Sequence, residues 1–319
     1  MSKNCGIMIL FLIFLLSILS GCLYEIPENP NTYIRSMQYD GYNRTYRIHI
    51  PLHLEQNDSP AIVFVLHGGG GTGENMERTL TLGGFNNLSD EYGFIVVYPD
   101  GIGKNWNDGR LINDTAHQQK VDDVGFLSLL IDNITQEFNG NKNEVYFTGI
   151  SNGAMMSYHL AFEIPEKIAA IAPVAGAIPT DILPSNSSGA PISVFVISGT
   201  RDPLVPWNGG EIGTPRNPRG TCISVSDSVM FWVLRNNCNT TPDSSWLPNK
   251  KLLDFCRIHC DIYTGGNNET DVILYEIIRG GHTWPNGYQY LPKLIIGRTC
   301  KDIDANSVIW EFFKSHPKK

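Results

Sequence analysis

The stretch E-V-Y-F-T-G-I-S-N-G, residues 144–153, determines the fold of this chain. Its pattern predicts a β-strand over residues 144–148, a sharp turn over residues 149–153, and a helix over residues 154–162. The turn needs glycine on both sides of Ser151, because the backbone reverses where neighbouring side chains have no room. A bare G-x-S-x-G also occurs in plain turns, but a strand before it and a helix after it favour an exposed, strained serine nucleophile.

The rest of the chain alternates strand and helix patterns. Residues 37–39 and 44–50 flank an Asp-Gly pair and predict an antiparallel hairpin. Continuous apolar runs then predict buried strands, with helices between them. The strands cover residues 61–66, 94–98, 168–175, 192–198 and 272–278, and the helices cover residues 122–138, 224–236 and 306–314. The predicted fold class is α/β, with a doubly wound, mostly parallel sheet opened by an antiparallel hairpin.

Composition limits the classes of function. The chain has 319 residues, of which 42% are apolar, so it can bury one large α/β core. Its formal net charge is -8 and its isoelectric point lies near 5.5. A nucleic-acid partner needs a concentrated basic surface, and the sequence has no basic cluster. We therefore expect one domain that binds no nucleic acid.

The first 21 residues are typical of an export signal. Lys3 supplies a positive charge, and residues 7–19 are almost wholly apolar but short for a membrane span. The segment ends L-S-G-C, which resembles the lipobox of prokaryotic lipoproteins and predicts a lipid on Cys22. Plain secretion and an uncleaved anchor are the alternatives. We expect an extracellular protein, secreted or held on the membrane by lipid.

These features divide the chain into three parts. We expect a signal peptide with its lipobox over residues 1–21, a tether over residues 22–34, and the folded α/β domain over residues 35–319. The tether is inferred from its prolines and its asparagine and glutamate residues. No internal repeat suggests a further domain.

Export also determines how the remaining cysteines are interpreted. Five cysteines lie beyond the lipobox, at positions 222, 238, 256, 260 and 300. An oxidising compartment favours disulfides, of which at most two can form, and the sequence alone leaves their connectivity open. Zinc is the alternative for Cys256 and Cys260 with His259 between them, but no other short spacing supplies matching ligands.

A glycine-rich loop reads H-G-G-G-G-T-G over residues 67–73. It matches the dinucleotide fingerprint, and Asp100 ends the next strand, where a ribose-binding acid would lie. A P-loop fails, since Glu74 stands where that motif needs lysine. Export and the preceding hairpin argue against a nicotinamide cofactor. The favoured interpretation is a loop that points a backbone N–H at an oxyanion, from Gly68 or Gly69.

A serine nucleophile needs a base and an acid at the ends of later strands. Asp202 follows the strand before the last, and His282 follows the last strand, so the chain order is Ser, Asp, His. Asp181 is the rival acid, but it follows an earlier strand. We predict Ser151 as nucleophile, Asp202 as acid and His282 as base, with the N–H of Asn152 facing the oxyanion.

Two further features have a structural and a functional interpretation. Asp122 and Asp123 could form a second acid site, but acids at a helix start more often cap the helix and favour its dipole. Trp106, in the loop before them, either lines a pocket or covers the core.

Six short motifs are distributed along the chain. They are H-G-G-G at residues 67–70, Y-P-D-G at 98–101, D-D-V-G-F at 122–126, T-G-I-S-N-G-A-M-M at 148–156, G-T-R-D at 199–202 and G-H-T-W-P at 281–285. Together they resemble the polyhydroxybutyrate depolymerase and feruloyl esterase family, over about residues 35–315. The resemblance implies an α/β-hydrolase fold and a secreted serine esterase whose triad is Ser151, Asp202 and His282.

The resemblance also implies a disulfide between Cys238 and Cys260. The other cysteines are additional to the family pattern, and Cys222 could pair with Cys256, which would leave Cys300 as a free thiol. Residues 211–222 and 247–260 depart from the family, which leaves the shape of the pocket and the substrate open.

The expected reaction is ester hydrolysis through an acyl-enzyme on Ser151, with His282 moving the proton. We place Trp106, Trp284 and His67 at the substrate, and we expect no cofactor and no metal. A surface-anchored binding module with an inactive scaffold is the competing class, but it would have lost one of the three triad residues. The sequence carries no signal for the oligomeric state.

Overall fold

The computed structural model describes residues 31–55 and 57–319. The expected signal, the lipobox with Cys22 and most of the expected tether therefore lie outside the described residues. The strands are β1 (Thr32–Tyr39), β2 (Tyr42–His49), β3 (Ile62–Leu66), β4 (Ile95–Pro99), β5 (Val145–Ile150), β6 (Ala170–Val174), β7 (Ser193–Gly199), β8 (Gly210–Thr214), β9 (Asn217–Cys222), β10 (Asp243–Trp246), β11 (Arg257–Tyr263) and β12 (Val272–Ile278).

Ten of these strands form one sheet in the order β1-β2-β4-β3-β5-β6-β7-β12-β11-β10. The six strands from β4 to β12 pair in parallel, and antiparallel strands extend the sheet at both ends. This confirms the predicted α/β class and its opening hairpin. The separate β8–β9 hairpin covers the first stretch that departs from the family pattern, and the second stretch connects β10 to the first half of β11.

Helices cover both faces of the sheet. They are α1 (Gly84–Tyr92), α2 (Thr115–Gln118), α3 (Asp123–Glu137), α4 (Asn152–Glu163), α5 (Val225–Asn236), α6 (Lys293–Ile296) and α7 (Ala305–Ser315), with a π-helical segment at Asn75–Leu80 and 3-10 turns at Ile102–Lys104, Pro165–Lys167, Thr180–Ile182, Leu252–Asp254 and Asn267–Glu269. The helices predicted at residues 122–138, 154–162, 224–236 and 306–314 are confirmed with end shifts of one or two residues.

The central strands are buried on both faces, which is why they read as continuous apolar runs. In β3, Val63 and Val65 pack on one face while Phe64 and Leu66 pack on the other. Phe64 stacks on Phe147 of β5, with ring centroids 4.5 Å apart. Burying each such side chain stabilises the fold by about 1.5–3 kcal/mol.

A buried ion pair attaches the opening hairpin to the rest of the domain. Arg44 of β2 donates to the carboxylate of Asp123 at 2.5 Å, and its guanidinium lies 3.8 Å from the ring centre of Phe126. Asp122 accepts the backbone N–H of Gly125 and caps α3, as expected of an acid at a helix start. Since β1 begins at Thr32, residues 32–34 of the expected tether belong to the sheet.

The structure has no disulfide between Cys238 and Cys260, and the five described cysteines are present as thiols. Strand alternation gives the reason. Cys260 shares a face of the sheet with Tyr275, its partner on β12, while Cys238 packs in the core on the opposite face. The expected pairing of Cys222 with Cys256 fails in the same way, since these two residues also belong to opposite cores.

The zinc interpretation also lacks support in the described residues. His259 alternates to the face opposite Cys260 and packs edge-on against Trp246, with ring centroids 4.9 Å apart. The imidazole therefore points away from the thiol with which it would have to share a metal ion.

No helix in the described ranges combines the length and the apolar character that a membrane span requires.

Candidate active site

Ser151 occupies the turn between β5 and α4 in a strained conformation. Its backbone angles are φ 58° and ψ −117°, which residues with a Cβ rarely adopt. A Cβ at Gly149 would lie 2.8 Å from the carbonyl oxygen of Leu66, and a Cβ at Gly153 would lie 2.5 Å from the same atom. Both glycines are therefore required where β3, β5 and α4 converge. The turn presents Ser151 at the carboxyl end of the central strand.

His282 and Asp202 form a buried pair at the ends of β12 and β7. The two atoms His282 Nδ1 and Asp202 Oδ2 are 2.7 Å apart, and both side chains are less than 5% exposed. The other carboxylate oxygen of Asp202 accepts the backbone N–H groups of Leu204 and Val205, each at 2.8 Å. The carboxylate is therefore fixed from behind, and it holds the imidazole with Nε2 as the free ring nitrogen.

The loop that carries His282 is held by the segment after it. The N–H of His282 donates to the carbonyl of Ile296 at 2.6 Å, and the hydroxyl of Tyr290 donates to the carbonyl of His282 at 2.9 Å. Gly281 cannot be another residue, because a Cβ there would lie 2.2 Å from the oxygen of Ile296. The backbone of the predicted base is thus fixed on both sides.

Asp181, the rival acid, lies elsewhere. It is exposed in the 3-10 turn Thr180–Ile182, and its carboxylate accepts the backbone N–H of Leu111 at 3.0 Å. Its carboxylate therefore closes a surface loop, and the structure brings Asp202 to the imidazole instead.

The glycine-rich loop lies directly against the serine turn. A Cβ on Gly68 would lie 3.5 Å from Cβ of Ser151. The carbonyl of Gly68 accepts from the ring of His67 at 2.8 Å and from the N–H of Gly71 at 3.0 Å. Because a trans peptide points its N–H opposite its carbonyl, the N–H of Gly69 faces away from these donors.

The dinucleotide interpretation of this loop does not match the structure around Asp100. One carboxylate oxygen of Asp100 accepts the N–H of Gly73 at 2.7 Å, and the other accepts the hydroxyl of Thr45 at 2.7 Å. Both oxygens are thus occupied within the protein, so this acid holds the loop in place instead of being presented to a ribose.

The side chain of Asn152 is locked by the loop that follows β4. Its Oδ1 accepts the N–H of Trp106 at 2.8 Å, and its Nδ2 donates to the carbonyl of Trp106 at 3.0 Å and to Asp108 at 2.6 Å. Asn152 is the first residue of α4, so these three bonds fix the backbone N–H that follows Ser151. The sequence predicts a role for this N–H, but it carries no signal for the role of the side chain.

Asp108 belongs to a buried charge cluster that sequence reasoning missed. Arg110 donates to it with two nitrogens, and the Nε2 atom of His117 lies 3.1 Å from its Oδ1. The other ring nitrogen of His117 lies 2.6 Å from Asp114. Arg110 and His117 outweigh the effect of burial and hold the pKa of Asp108 well below its usual range. The signal available in the sequence was the short spacing of acids and bases in D-G-R-L-I-N-D-T-A-H.

His117 carries a positive charge in this cluster. Burial alone would lower its pKa, but the hydrogen bonds and charges of Asp108 and Asp114 raise it to about 9. Besides these acids, the cations Arg110 and Arg219 face the cluster, and Arg219 lies 3.6 Å from Asp114. His117 therefore belongs to an ion-pair network and links Asp108 to Asp114.

This raised pKa predicts a pH-dependent stability. The folded pKa exceeds the unfolded value near 6.5, so the contribution is complete below pH 6.5 and is lost as the pH rises through about 9. We expect His117→Gln to lower the free energy of unfolding by about 2 kcal/mol at pH 6 and by much less at pH 10. Urea titrations of both proteins at the two pH values measure this difference. An equal loss at both values would contradict it.

Ser151 and His282 line one cavity of about 450 Å³. The β8–β9 hairpin forms one wall, and the turn before α6 forms another. The lining residues are Gly68, Gly69, Gly70, Gly71, Asn75, Thr79, Leu80, Arg110, Ile150, Ser151, Asn152, Leu204, Val205, Ile212, Gly213, Thr214, Asn217, Arg219, His282, Tyr290 and Leu291. The cavity is mostly apolar, with polar groups from the hairpin near the glycine-rich loop.

Three residues expected at the substrate do not line this cavity. Trp106 is fully buried, and its indole N–H donates to the carbonyl of His67. Trp284 is also fully buried, and its indole N–H donates to Asn306 at 3.0 Å. Burial lowers the pKa of His67, whose Nε2 accepts the N–H of Gly101. The three side chains support the loops of the site from behind, since each has its polar atoms bonded within the protein.

One family model and several known esterases are similar to this chain. A family model described as phospholipase/carboxylesterase matches residues 54–215. The esterase NocK of Nocardia uniformis subsp. tsuyamanensis, whose name records an inferred activity, is one relative. It is 28% identical over 291 residues, which cover 88% of this chain and 82% of NocK. Feruloyl esterase B of Piromyces equi is 26% identical over 201 residues, covering 61% of this chain and 35% of that protein. The chain thus spans about a third of the length of the second relative.

A solved structure shares the fold. The acetyl xylan esterase from Aspergillus awamori superposes with a TM-score of 0.56, covering 79% of this chain and 94% of that one, at 17% sequence identity.

Proposed function

Since the chain belongs to the phospholipase/carboxylesterase family of α/β-hydrolases, we propose that it is a serine esterase. The proposed catalytic residues are Ser151, His282 and Asp202. The family and the esterase relatives make it a carboxylic ester hydrolase. One observation carries the assignment of residues. Ser151 and His282 line the same cavity, and Asp202 is hydrogen-bonded to the far side of the His282 ring.

The proposed reaction proceeds in two halves. Nε2 of His282 takes the proton of Ser151 as the serine oxygen attacks the ester carbonyl, and the imidazolium then protonates the leaving alcohol. Water enters, loses its proton to the same nitrogen and cleaves the acyl-enzyme. Asp202 keeps Nδ1 protonated and stabilises the imidazolium throughout.

The oxyanion of each tetrahedral intermediate would be held by backbone N–H groups of Asn152 and Gly69. Neither group donates to a protein acceptor in the part of the chain that the structure describes. Both residues line the cavity, and both are held by neighbours whose bonds were described above. Preorganised donors of this kind contribute about 3–4 kcal/mol each to transition-state stabilisation.

For the substrate, we propose esters of aromatic or acetyl groups on extracellular polymers. Relatives and a structural neighbour named as feruloyl and acetyl xylan esterases support this class, and the export signal supports access to such polymers. Polyester oligomers are the alternative that the sequence motifs raise. Apolar lining from Leu204, Val205 and Ile212 suits an aromatic or aliphatic acyl group, while Arg219 and Asn217 on the hairpin suit a hydroxylated alcohol.

A panel of esters tests this function. Rates on methyl ferulate, an acetylated xylo-oligosaccharide, a hydroxybutyrate oligomer and p-nitrophenyl esters of rising acyl length would be compared at equal concentration. Hydrolysis of at least one ester class, with covalent labelling of Ser151 by a fluorophosphonate, supports the proposal. Labelling of a different residue, or no ester hydrolysis by a folded protein, would overturn it.

We also propose that the protein is held at the cell surface through a lipid on Cys22. The L-S-G-C sequence before the tether supports this. The native protein should partition into detergent, and Cys22→Ser should move it to the aqueous phase with unchanged esterase activity. The matched control is Cys5→Ser, which alters the signal but not the lipobox. A native protein that is fully aqueous and begins well beyond residue 22 would refute the anchor.

A further inference from the structure

Outside the cavity, two cysteines and an acid form a compact buried group. The sulfurs of Cys256 and Cys300 and a carboxylate oxygen of Asp254 all lie within 4.8 Å of one another. The thiol of Cys256 donates to the carbonyl of Asp254 at 3.7 Å, and Cys256 and Cys300 are each only 1% exposed. The proposed esterase reaction uses none of these three groups.

The backbone around the two cysteines is already held in register. One oxygen of Asp254 accepts the N–H of Cys256 at 2.8 Å, and the other accepts the N–H of Lys301 at 2.6 Å. Asp302 adds two more bonds between the same segments, since its Oδ1 accepts the N–H groups of Lys250 and Lys251. The thiols therefore meet because these carboxylates fix the segments that carry them.

We propose that Cys256 and Cys300 form a disulfide that clamps the segment carrying His282. The oxidant is a disulfide donor, either a small molecule or a protein. The Cys256 thiolate attacks one donor sulfur, and the other donor sulfur leaves as a thiolate. Cys300 then attacks the Cys256 sulfur and releases the second donor thiolate. Two cysteine thiols are oxidised, one donor disulfide is reduced, and the two protons end on the donor thiols.

The chemistry of the pair agrees with this order of attack. The hydrogen bond from Cys300 lowers the pKa of the Cys256 thiol, against the opposing effect of burial, whereas the pKa of Cys300 is raised. Because both thiols are buried, exchange has to occur during folding or through opening of the exposed turn Leu252–Asp254. An exported chain folds where such donors are present.

A metal ion explains the group less well. A structural zinc site has four ligands, while this group offers three. Both oxygens of Asp254 already accept backbone N–H groups, so the carboxylate serves as a support for the two segments. Metal binding remains a distinct outcome of the experiment below.

The bond would act on the catalytic loop. The carbonyl of Cys300 accepts the N–H of Asn286 at 2.8 Å, and the carbonyl of Arg298 accepts the N–H of Gly281 at 2.9 Å. The loop that presents His282 therefore rests on the residues just before and at Cys300. Tying Cys300 to Cys256, which precedes β11, closes a loop that contains β11, β12 and His282.

Alkylation mapping of the full-length protein tests the proposal. The protein is equilibrated with oxidised glutathione, denatured without reduction, alkylated and digested. We expect a peptide of Cys256 linked to a peptide of Cys300, with Cys222, Cys238 and Cys260 alkylated. In Cys256→Ala, Cys300 should become alkylated as well. The inference rests on the proposed function only for its effect on His282, and the mapping is independent of activity.

Two results would overturn the disulfide. One is alkylation of both Cys256 and Cys300 in the oxidised protein, or linkage of either one to another cysteine. The other is a protein that contains one equivalent of zinc per chain and in which both thiols resist alkylation until a chelator is added. Either result leaves ester hydrolysis untouched, so failure of this proposal is distinguishable from failure of the proposed function.

Stability and kinetics measure the effect of the clamp. Closing a loop of this length should raise the melting temperature by about 10 °C. A reductant should lower the melting temperature of the parent to that of the Cys256→Ala/Cys300→Ala variant, and it should not change the variant. The control is Cys222→Ala, which should still respond to the reductant. For the variant, we expect a lower kcat with little change in KM, and an unchanged kcat would exclude the link to His282.

Discussion

Replacing Ser151 with alanine should lower kcat by at least about 10⁴-fold. The variant keeps the strained turn, because alanine differs from serine only by the hydroxyl group. It also keeps the cavity, the proposed oxyanion donors and the Asp202–His282 pair. The substitution therefore removes only the formation of the acyl-enzyme. The remaining activity would come from the oxyanion N–H groups and from positioning of the ester. Steady-state rates on the best ester of the panel measure the effect.

The control for this variant is Ser315→Ala, an exposed serine at the end of α7, which should keep the parental kcat. Circular dichroism and the melting temperature should show that Ser151→Ala is folded. A fluorophosphonate should label the parent and the control once per chain and leave Ser151→Ala unlabelled. A folded Ser151→Ala protein with near-parental turnover would end the assignment of the nucleophile.

Replacing Asp202 with asparagine should lower kcat by about 10³- to 10⁴-fold. The amide is nearly the same size as the carboxylate, so the fold should be retained. Its NH₂ group cannot accept the Nδ1 proton of His282, and an amide oxygen stabilises an imidazolium far less than a carboxylate does. The base would lose both its tautomer and its orientation.

The matched control is Asp181→Asn, which changes an exposed acid that binds the Leu111 N–H. It should retain kcat within about twofold, because surface changes of this kind have small effects. A pH profile separates the two explanations for a slow Asp202→Asn enzyme. Loss of tautomer control should leave activity that rises at high pH, whereas a misfolded protein would be slow at every pH. If Asp181→Asn is inactive and Asp202→Asn is active, Asp181 is the acid that supports His282 and Asp202 is not.

The parts of the site that could be predicted from the sequence are those imposed by backbone geometry. The turn around Ser151 needs glycine at two fixed positions, and this requirement can be recognised directly in the sequence. The order of Asp202 and His282 could be inferred because parallel strands end at one edge of a sheet. The buried central strands were equally accessible, since a strand covered on both faces reads as an unbroken apolar run.

The parts that could not be predicted depend on which way side chains point. Trp106 lies in the loop after β4 and Trp284 follows His282 by two residues, and only the packing shows that both side chains are buried behind the cavity. The cysteine pairs failed for the same reason, because one strand register decides which face of the sheet Cys260 occupies. The charge cluster around Asp108 lies in an irregular loop, where no periodicity indicates that His117 meets two acids.

The antiparallel edge was missed because its patterns are weak. Strand β10 is short, and all four of its residues are exposed, so it has no apolar alternation to detect. The β8–β9 hairpin is rich in glycine and has a register shift between Glu211 and Gly213. Both elements are held by pairing with neighbours, and their own sequences favour no particular structure.

The positive φ of Ser151 lowers the stability of the fold at the position that the proposed reaction requires. Any residue with a Cβ at this position bears a conformational cost of about 1–3 kcal/mol, and glycine is the one residue that would relieve it. Ser151→Gly should therefore relieve the backbone strain while it removes the proposed nucleophile. The same backbone angle that strains the turn places Ser151 at the cavity, so the proposed reaction and the stability of the fold favour different residues at position 151.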